Sequence, residues 1–227
     1  ASDINNGTGG GYFADPITLA YTLSPQFPVK YDDGSWFMDP NYGNPVAIRS
    51  KYGNKNNAKQ KRLLFSPYLT LNLLDGLSFT SRGGVDYYNL KEFGYWSFLS
   101  SDGMSVNGLG EQGYTEQTVM NWSNQLNYTK SFDKHNFGIM LGQEIQKTNA
   151  DDSYLESTNY PVETLTSISL AATVGSASTS ARELALASYF VDLQYNFDDK
   201  YYLSGSVRRD GSSRFNEDNR WGTFYSV

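Results

Sequence analysis

The feature that most constrains this chain is a two-residue alternation of apolar and polar side chains. Successive side chains of a β-strand point to opposite faces, so this period predicts strands. In residues 61–74 one face carries Leu63, Phe65, Leu69, Leu71 and Leu73. The opposite face carries Arg62, Ser66, Thr70 and Asn72. The pattern returns in further segments, at 77–87, 118–131, 136–145, 183–197 and 201–208, with a partial strand beginning near Trp221.

Tight turns alternate with long connections along the chain. The tight turns are Asp75-Gly76, the turn around Asp133-Lys134, and Asp198-Asp199. The connections between hairpins are about 25, about 35 and about 11 residues long, and the strands are about 12 to 15 residues. Bacterial outer-membrane barrels have this asymmetry, whereas a soluble sandwich gives no reason for it. We predict an all-β chain that forms part of a large antiparallel transmembrane up-and-down β-barrel.

The composition agrees with a barrel wall. The polar faces carry Asn, Gln, Ser, Thr and Gly, which suit a wet lumen and would make a poor dry core. No run approaches the roughly 18 apolar residues of a transmembrane helix, and barrel strands average to a hydrophilic score such as the mean hydropathy of -0.53. A net charge of -6 argues against nucleic-acid binding, and the lack of cysteine removes thiolate chemistry.

Aromatic residues make up 15% of the chain and cluster at the predicted strand ends. Those beside the tight turns are Tyr128, Phe137, Tyr195, Phe197 and Tyr201. Those toward the long connections are Phe65, Tyr87 and Tyr189. Tyr189 to Phe197 corresponds to about 20 Å of height in a tilted strand, close to the apolar band between two aromatic girdles. The alternative is that these rings pack in the core of a soluble sheet.

A family resemblance rests on DKYYLSGSVRRDGSSRF at 199–215 and RWGTF at 220–224. The segment resembles the SusC/RagA-type TonB-dependent transporters of Bacteroidota, although Tyr225 stands where the family usually has proline. The motif residues are Arg208, Asp210, Gly211, Ser212, Ser213 and Phe215. We interpret them as structural: Asp210-Gly211 permits a bend, and the serines bond local backbone. A Ca²⁺ loop is the alternative, but the EF-hand ligand pattern is absent, so no metal site is predicted.

The resemblance implies a roughly 22-stranded barrel with a plug in its lumen, of which this chain would supply about six or seven strands. So few strands would leave edges unpaired in lipid, so we expect a part of a longer polypeptide. Residues 1–59 are expected to be a loop-rich extracellular segment and residues 60–227 the transmembrane hairpins. The implied partners are a SusD-like surface lipoprotein, TonB-ExbB-ExbD through parts not in this chain, and outer-membrane lipid. The implied location is the bacterial outer membrane, crossed many times.

The predicted function is import of an oligosaccharide or peptide nutrient, with no cofactor and no catalytic residue. Tyr95, Trp96 and Tyr114, which we place in the long loops, are the candidates for ligand contact, with anchoring or loop packing as the alternative. The single histidine, His135, falls at a tight turn, which disfavours a Ser-His-Asp site. Two other hypotheses stay open: a soluble or cell-surface β module that binds carbohydrate, and a barrel enzyme whose nucleophile and base we cannot identify.

Overall fold

A computed structural model describes residues 16–39 and 43–227 and the backbone of 2–4. The rest of the predicted loop-rich segment, residues 1, 5–15 and 40–42, lies outside the described residues. The strands are β1 (Ser2–Ile4), β2 (Lys55–Phe65), β3 (Tyr68–Leu74), β4 (Leu77–Trp96), β5 (Leu109–Phe132), β6 (His135–Thr158), β7 (Thr173–Phe197), β8 (Tyr201–Ser212) and β9 (Trp221–Ser226). The helices are α1 (Pro16–Thr22), α2 (Pro45–Ile48) and α3 (Ser101–Met104), with 3-10 turns at Ile168–Leu170 and Glu217–Asn219.

The strands of the described chain form one sheet in the order β1-β2-β4-β5-β6-β7-β8-β9, and β3 also pairs with β4. From β4 onward each strand therefore pairs with the next one in sequence, which is the up-and-down order. The predicted all-β, antiparallel fold is confirmed. None of the helices in the described ranges is long and apolar enough to cross a membrane.

The three predicted tight turns are present. Gly76, Asp133, Asp198 and Asp199 have φ values of 77°, 50°, 53° and 51°, the left-handed region that Gly, Asn and Asp adopt most readily in hairpin turns. Two of the turns also bond to neighbouring backbone. The Thr129 N–H donates to the Gly76 carbonyl over 2.8 Å, and the Asp198 N–H donates to the Lys134 carbonyl over 2.8 Å. These bonds fix the turn ends of adjacent hairpins together.

Two predictions about strand extent were wrong. The strands β4 to β7 are 20 to 25 residues long and the connections correspondingly shorter, because the backbone ladder continues past the apolar alternation into polar sequence. The predicted single strand over 61–74 is interrupted between β2 and β3. Pro67 has no N–H to give to a ladder and stands at this break, while its carbonyl accepts from the Gly83 N–H over 3.0 Å.

The chain divides into two compact units. The packed unit comprises Ala1–Lys61, Tyr88–Glu116 and Asp151–Ser180. The sheet unit comprises Arg62–Tyr87, Gln117–Ala150 and Ala181–Val227. The strands β4 to β7 contribute residues to both units.

The packed unit has a small buried core. Its buried apolar side chains are Leu19, Ala47, Ile48, Tyr95, Leu99 and Tyr160. Within the segment predicted to be loop-rich, the described residues include α1 and α2, and β2 begins at Lys55. Asn44 begins α2: its side-chain oxygen accepts from the N–H groups of Val46 and Ala47, and Pro45 follows at the first helical position. An Asn-Pro start of this kind is a recognisable helix signal that composition alone conceals.

The sheet unit shows the opposite distribution, because its large apolar side chains are exposed. Along β6 these are Phe137, Ile139, Leu141 and Ile145, and along β7 and β8 they are Tyr189, Val191, Leu193, Leu203 and Val207. A water-soluble domain buries such residues, and a contiguous apolar surface of this extent marks an interface with another apolar phase. The sheet unit therefore has an apolar face that nothing in the described chain covers.

Candidate functional site

The polar face of the sheet unit is organised by an ion-paired network around Arg208. The Arg208 Nε donates to an Asp210 carboxylate oxygen over 2.7 Å, and its Nη2 donates to the Ser188 hydroxyl over 2.9 Å. A Glu144 carboxylate oxygen lies 3.6 Å from that Nη2, and the Phe190 ring centroid lies 5.3 Å from the guanidinium carbon. Carboxylates and an aromatic face together hold the guanidinium in place. This network can orient a polar ligand and offers no paired nucleophile and base.

Phe190 is an aromatic residue on the polar face, and Gly142 makes room for it. A Cβ at Gly142 would lie 2.0 Å from the Phe190 ring. We expect Gly142→Ala to push the ring off β6 and away from Arg208, at a cost of about 1–3 kcal/mol. Gly138→Ala is the matched control, since its Cβ would meet Gln194 at an ordinary 3.6 Å. Urea unfolding of the full-length protein measures both, and equal midpoints for the two variants would contradict this role of Gly142.

The motif residues at the end of β8 form a strand pair with β9. Asp210 and Gly211 lie inside β8 and pair with Gly222 and Trp221, so the predicted bend at Asp210-Gly211 is wrong. A Cβ at Gly211 would lie 2.9 Å from the Trp221 ring, so the glycine provides space for that ring. Sequence reasoning missed this because the tryptophan follows ten positions later. The pairing of β8 with β9 places the two segments that carry the family resemblance, 199–215 and 220–224, next to each other.

The motif serines bond to backbone. The Ser212 hydroxyl accepts from the Arg214 N–H over 3.3 Å, which is a local turn contact of the predicted kind. The Ser213 hydroxyl accepts from the Ala185 N–H over 2.9 Å, and Ala185 belongs to β7. The Phe215 N–H donates to the Ser212 carbonyl over 3.3 Å, and the Phe215 side chain is exposed. These contacts stabilise the connection between β8 and β9 and attach it to β7.

An aromatic cluster lies beside the tight turns of the sheet unit. His135 stacks on Phe132 with ring centroids 5.2 Å apart, and Phe137 and Tyr195 are 4.9 Å apart. The His135 Nδ1 and the Tyr195 hydroxyl share a hydrogen bond of 2.8 Å. The predicted outward residues Phe137 and Tyr195 therefore do lie together at the turn end. His135 is bonded to a phenol rather than to a serine or a carboxylate, so it lacks the partners of a hydrolase triad.

The three residues proposed for ligand contact lie in strands and not in loops. Tyr95 is 1% exposed and packs edge-on against Tyr160 at 5.1 Å. Trp96, also in β4, is partly exposed, and its indole N–H has no partner in the described chain. Tyr114 in β5 is partly exposed, donates to a Glu116 carboxylate and lies 5.6 Å from the Lys91 ammonium. Tyr95 therefore serves packing, while Trp96 and Tyr114 retain accessible ring surface.

A row of acidic and hydroxyl side chains also lies in the packed unit. Thr115 Oγ1 donates to an Asp152 carboxylate oxygen over 2.8 Å, and the Tyr154 hydroxyl donates to Glu156 over 3.3 Å and bonds to Glu111. We call Glu111, Thr115, Asp152, Tyr154 and Glu156 the acidic row. Glu111 and Thr115 are four residues apart in β5, and the other three alternate in β6, so the members from each strand share a face; which residues of the two strands meet was not readable from sequence. Such a row can bond to hydroxyl or amide groups of a ligand.

The described residues contain no group of three or more His, Cys, Asp or Glu side chains that could hold a metal ion.

Away from the strands, a short turn at 31–36 is held by Asp33, whose carboxylate accepts from the Ser35 hydroxyl over 2.6 Å and from the Ser35 N–H over 2.9 Å. These two bonds lower the pKa of Asp33, the side-chain bond being the larger cause. The turn is thus stabilised by the ionised carboxylate.

Comparisons with known proteins point in one direction. No protein-family profile matches the chain. The chain is 27% identical over 227 residues to TonB-dependent receptor P3 of Formosa agariphila, covering 97% of the chain and 22% of that receptor. It is 26% identical over 253 residues to TonB-dependent receptor SusC of Bacteroides thetaiotaomicron, covering all of the chain and 24% of the receptor. The chain therefore spans less than a quarter of the length of these curated relatives.

A solved structure shares the fold. In the structure of the RagAB peptide transporter, one chain matches with a TM-score of 0.71 and 22% identity, over 76% of this chain and 20% of that chain. At that identity the likeness concerns the fold. The open antiparallel sheet described above thus matches a section of a larger barrel.

Proposed function

Because this chain corresponds to a section of the barrel of SusC/RagA-type TonB-dependent transporters, we propose that the complete protein imports a nutrient, an oligosaccharide or a peptide, across the outer membrane. This section supplies wall and extracellular surface. The energy comes from TonB-ExbB-ExbD, which acts through other parts of the protein. The mechanism is regulated access, so no bond of the nutrient is broken and no cofactor is used.

The observation that supports this proposal most is the exposed apolar face of the sheet unit. Leu193 on β7 is 50% exposed and Leu203 on β8 is 63% exposed. In water each exposed leucine of this kind forfeits roughly 1.5–3 kcal/mol of burial, whereas in a bilayer the same surface is solvated by lipid chains. The opposite face carries Asp192, Gln194 and Ser204, which suit a water-filled lumen.

The connection lengths support an orientation in the membrane. The tight turns around Gly76, Asp133 and Asp198 would face the periplasm, because outer-membrane barrels keep their short turns there. Residues 1–59 would then be extracellular, and residues 60–227 would supply the hairpins that cross the membrane. A SusD-like surface lipoprotein would cover the extracellular side, as the family resemblance implies.

We place nutrient contact at the acidic row and at Trp96, and keep Tyr114 as a separate candidate, because Tyr114 directly precedes Thr115 in β5 and therefore points to the opposite face of that strand. Aromatic faces stack on sugars or on peptide side chains, and the carboxylates accept hydrogen bonds from hydroxyl or amide groups. Tyr95 would contribute indirectly, by packing against Tyr160 and so holding the neighbouring residues in place. The acidic row can therefore bond to either candidate nutrient, an oligosaccharide or a peptide. Uptake of the two classes is compared in one experiment.

Deletion of the full-length gene in its native host tests the proposal. We expect uptake of either a labelled oligosaccharide mixture or a labelled peptide mixture to fall to background, and a protonophore to have the same effect in the parent strain because TonB is driven by the proton gradient. Unchanged uptake of both classes would contradict import. A full-length protein that stays in buffer without detergent would instead favour the soluble carbohydrate-binding module.

Variants of the full-length protein test the contact residues in the same assay. We expect Tyr114→Ala, Trp96→Ala and Tyr154→Phe each to raise the half-saturating nutrient concentration about fivefold, the equivalent of one lost contact. Tyr21→Ala is the control, since Tyr21 lies on α1 and is 87% exposed. An equal effect of the control would show that the contact residues play no specific part.

A further inference from the structure

Two consecutive arginines on β8 face opposite sides of the sheet unit. Arg208 pairs across the strand with Phe190 on the polar face, and Arg209 pairs with Tyr189 on the apolar face. The guanidinium of Arg208 is satisfied by carboxylates and a hydroxyl. Arg209 is exposed, and no carboxylate of the described residues pairs with it. Equal charges on adjacent residues therefore have very different surroundings.

Aromatic rings hold Arg209 in position. Its guanidinium carbon lies 5.4 Å from the Trp221 ring centroid, and the Trp221 ring stacks on Tyr189 at 6.1 Å. Trp221 itself lies over Gly211, where a Cβ would come within 2.9 Å of the ring. The cation–π contact orients the guanidinium without neutralising it, so its hydrogen-bond donors remain available. We call Arg209, Trp221 and Tyr189 the cationic platform.

The position of the cationic platform along β8 is informative. Tyr201 begins β8 beside the tight turn, and Arg209 is eight residues further on the same face. At about 3.3 Å per residue and a tilt of about 40°, that is roughly 20 Å of height. Leu203 and Val207, both exposed, fill the interval. Arg209 therefore lies at the far edge of the apolar band, where lipid head groups begin.

We propose that the cationic platform binds the phosphate of an anionic membrane lipid in the leaflet opposite the tight turns. A guanidinium presents a planar fork of donors that matches phosphate oxygens, and at a membrane edge the acyl chains of the same lipid lie along the apolar face below it. The charge is complementary, and the apolar surface beneath suits a lipid better than a soluble anion. This inference rests on the proposed membrane location of the sheet unit.

Native mass spectrometry of the full-length protein in neutral detergent tests the cationic platform with dioleoylphosphatidic acid. We expect Arg209→Gln to weaken binding of this lipid about fivefold, consistent with the loss of a charge-assisted hydrogen bond. Arg209→Lys should bind phosphatidic acid with an affinity between those of wild type and Arg209→Gln, because lysine keeps the charge and lacks the planar fork of donors. Arg214→Gln, an equal loss of charge at an exposed site in the turn after β8, should bind as wild type does. Dioleoylglycerol, which lacks the phosphate, should bind all four proteins equally.

The outcomes separate the two proposals. Equal binding of phosphatidic acid to wild type and Arg209→Gln would overturn the lipid site. So would an equal loss of phosphatidic acid binding in Arg214→Gln, or an equal loss of dioleoylglycerol binding in Arg209→Gln. Displacement of the lipid by an equimolar amount of inorganic phosphate would show a free-anion site and overturn it too. Resistance to unfolding in unheated detergent confirms that each variant is folded. A protein that needs no detergent would contradict the proposed function, whereas a detergent-dependent protein with unchanged lipid binding would contradict the lipid site alone.

Discussion

Replacing Leu193 with arginine is expected to destabilise the full-length protein by about 2–4 kcal/mol in a bilayer. Leu193 lies on β7 on the same face as Tyr189 and Phe197 and four residues from each, so it is midway between the two aromatic ends of the apolar band. A charge at the midplane of the proposed lipid-facing surface must be dehydrated or must pull water into the membrane. The measurement is the shift of the urea unfolding midpoint for protein folded into phosphatidylcholine vesicles.

Gln194→Arg is the matched control for this prediction. Gln194 is the next residue of β7 and, like Leu193, is exposed, but it faces the polar side with Ser204. A new arginine there can remain hydrated on the proposed lumenal face, so we expect a change within about 0.5 kcal/mol. If the sheet unit were in water, both substitutions would be surface changes of similar small effect. Equal midpoints for the two variants would therefore contradict a lipid-facing Leu193.

Gly76→Ala is expected to cost about 2–5 kcal/mol. The φ of Gly76 is 77°, where any other L-residue is strained by about 1–2 kcal/mol. In addition, its Cβ would lie 2.1 Å from the Thr129 carbonyl oxygen, a backbone atom of β5 that cannot move without breaking the ladder. We expect a lower yield of folded protein and a lower urea midpoint, both measured on full-length protein refolded into vesicles.

Gly83→Ala, within β4, distinguishes this steric effect from the general effect of replacing a glycine. Its nearest neighbour would be a Pro67 side-chain carbon at 4.0 Å, and no positive φ is involved. Since glycine within a strand costs roughly 0.5–1 kcal/mol relative to alanine, this substitution should be neutral or slightly stabilising. A Gly76→Ala protein as stable as Gly83→Ala would show that the contact with Thr129 imposes no constraint.

The hairpin pattern could be predicted from sequence because its signals are local. Asp75-Gly76 and the Asp198-Asp199 pair specify turns through backbone preferences of single residues, and alternation specifies the faces of each strand. The full length of β4 to β7 could not be predicted in the same way. In residues 88–96 of β4 apolar and polar side chains no longer alternate although the backbone bonds continue, so this stretch does not show the strand pattern.

The contacts that shape the candidate sites depend on register, which the sequence does not display. Phe190 breaks the apolar–polar alternation of β7, and only the position of Gly142 on β6 explains how its ring fits on the polar face. Likewise, Gly211 has the appearance of a turn residue until Trp221 of β9 is placed over it. Both cases pair a glycine with a ring from a neighbouring strand. Only the strand pairing identifies which ring each glycine accommodates.

The backbone bonds made at the tight turns limit how the protein tolerates changes in length. The Asp198 N–H bonds to the Lys134 carbonyl, and the Thr129 N–H bonds to the Gly76 carbonyl. A single residue inserted at one of these turns would shift a whole strand by one position and exchange its two faces between solvents. An insertion in a connection at the opposite end of the hairpins shifts no pairing within the sheet. New loop surface can therefore be acquired by lengthening one set of connections while the other set keeps its length.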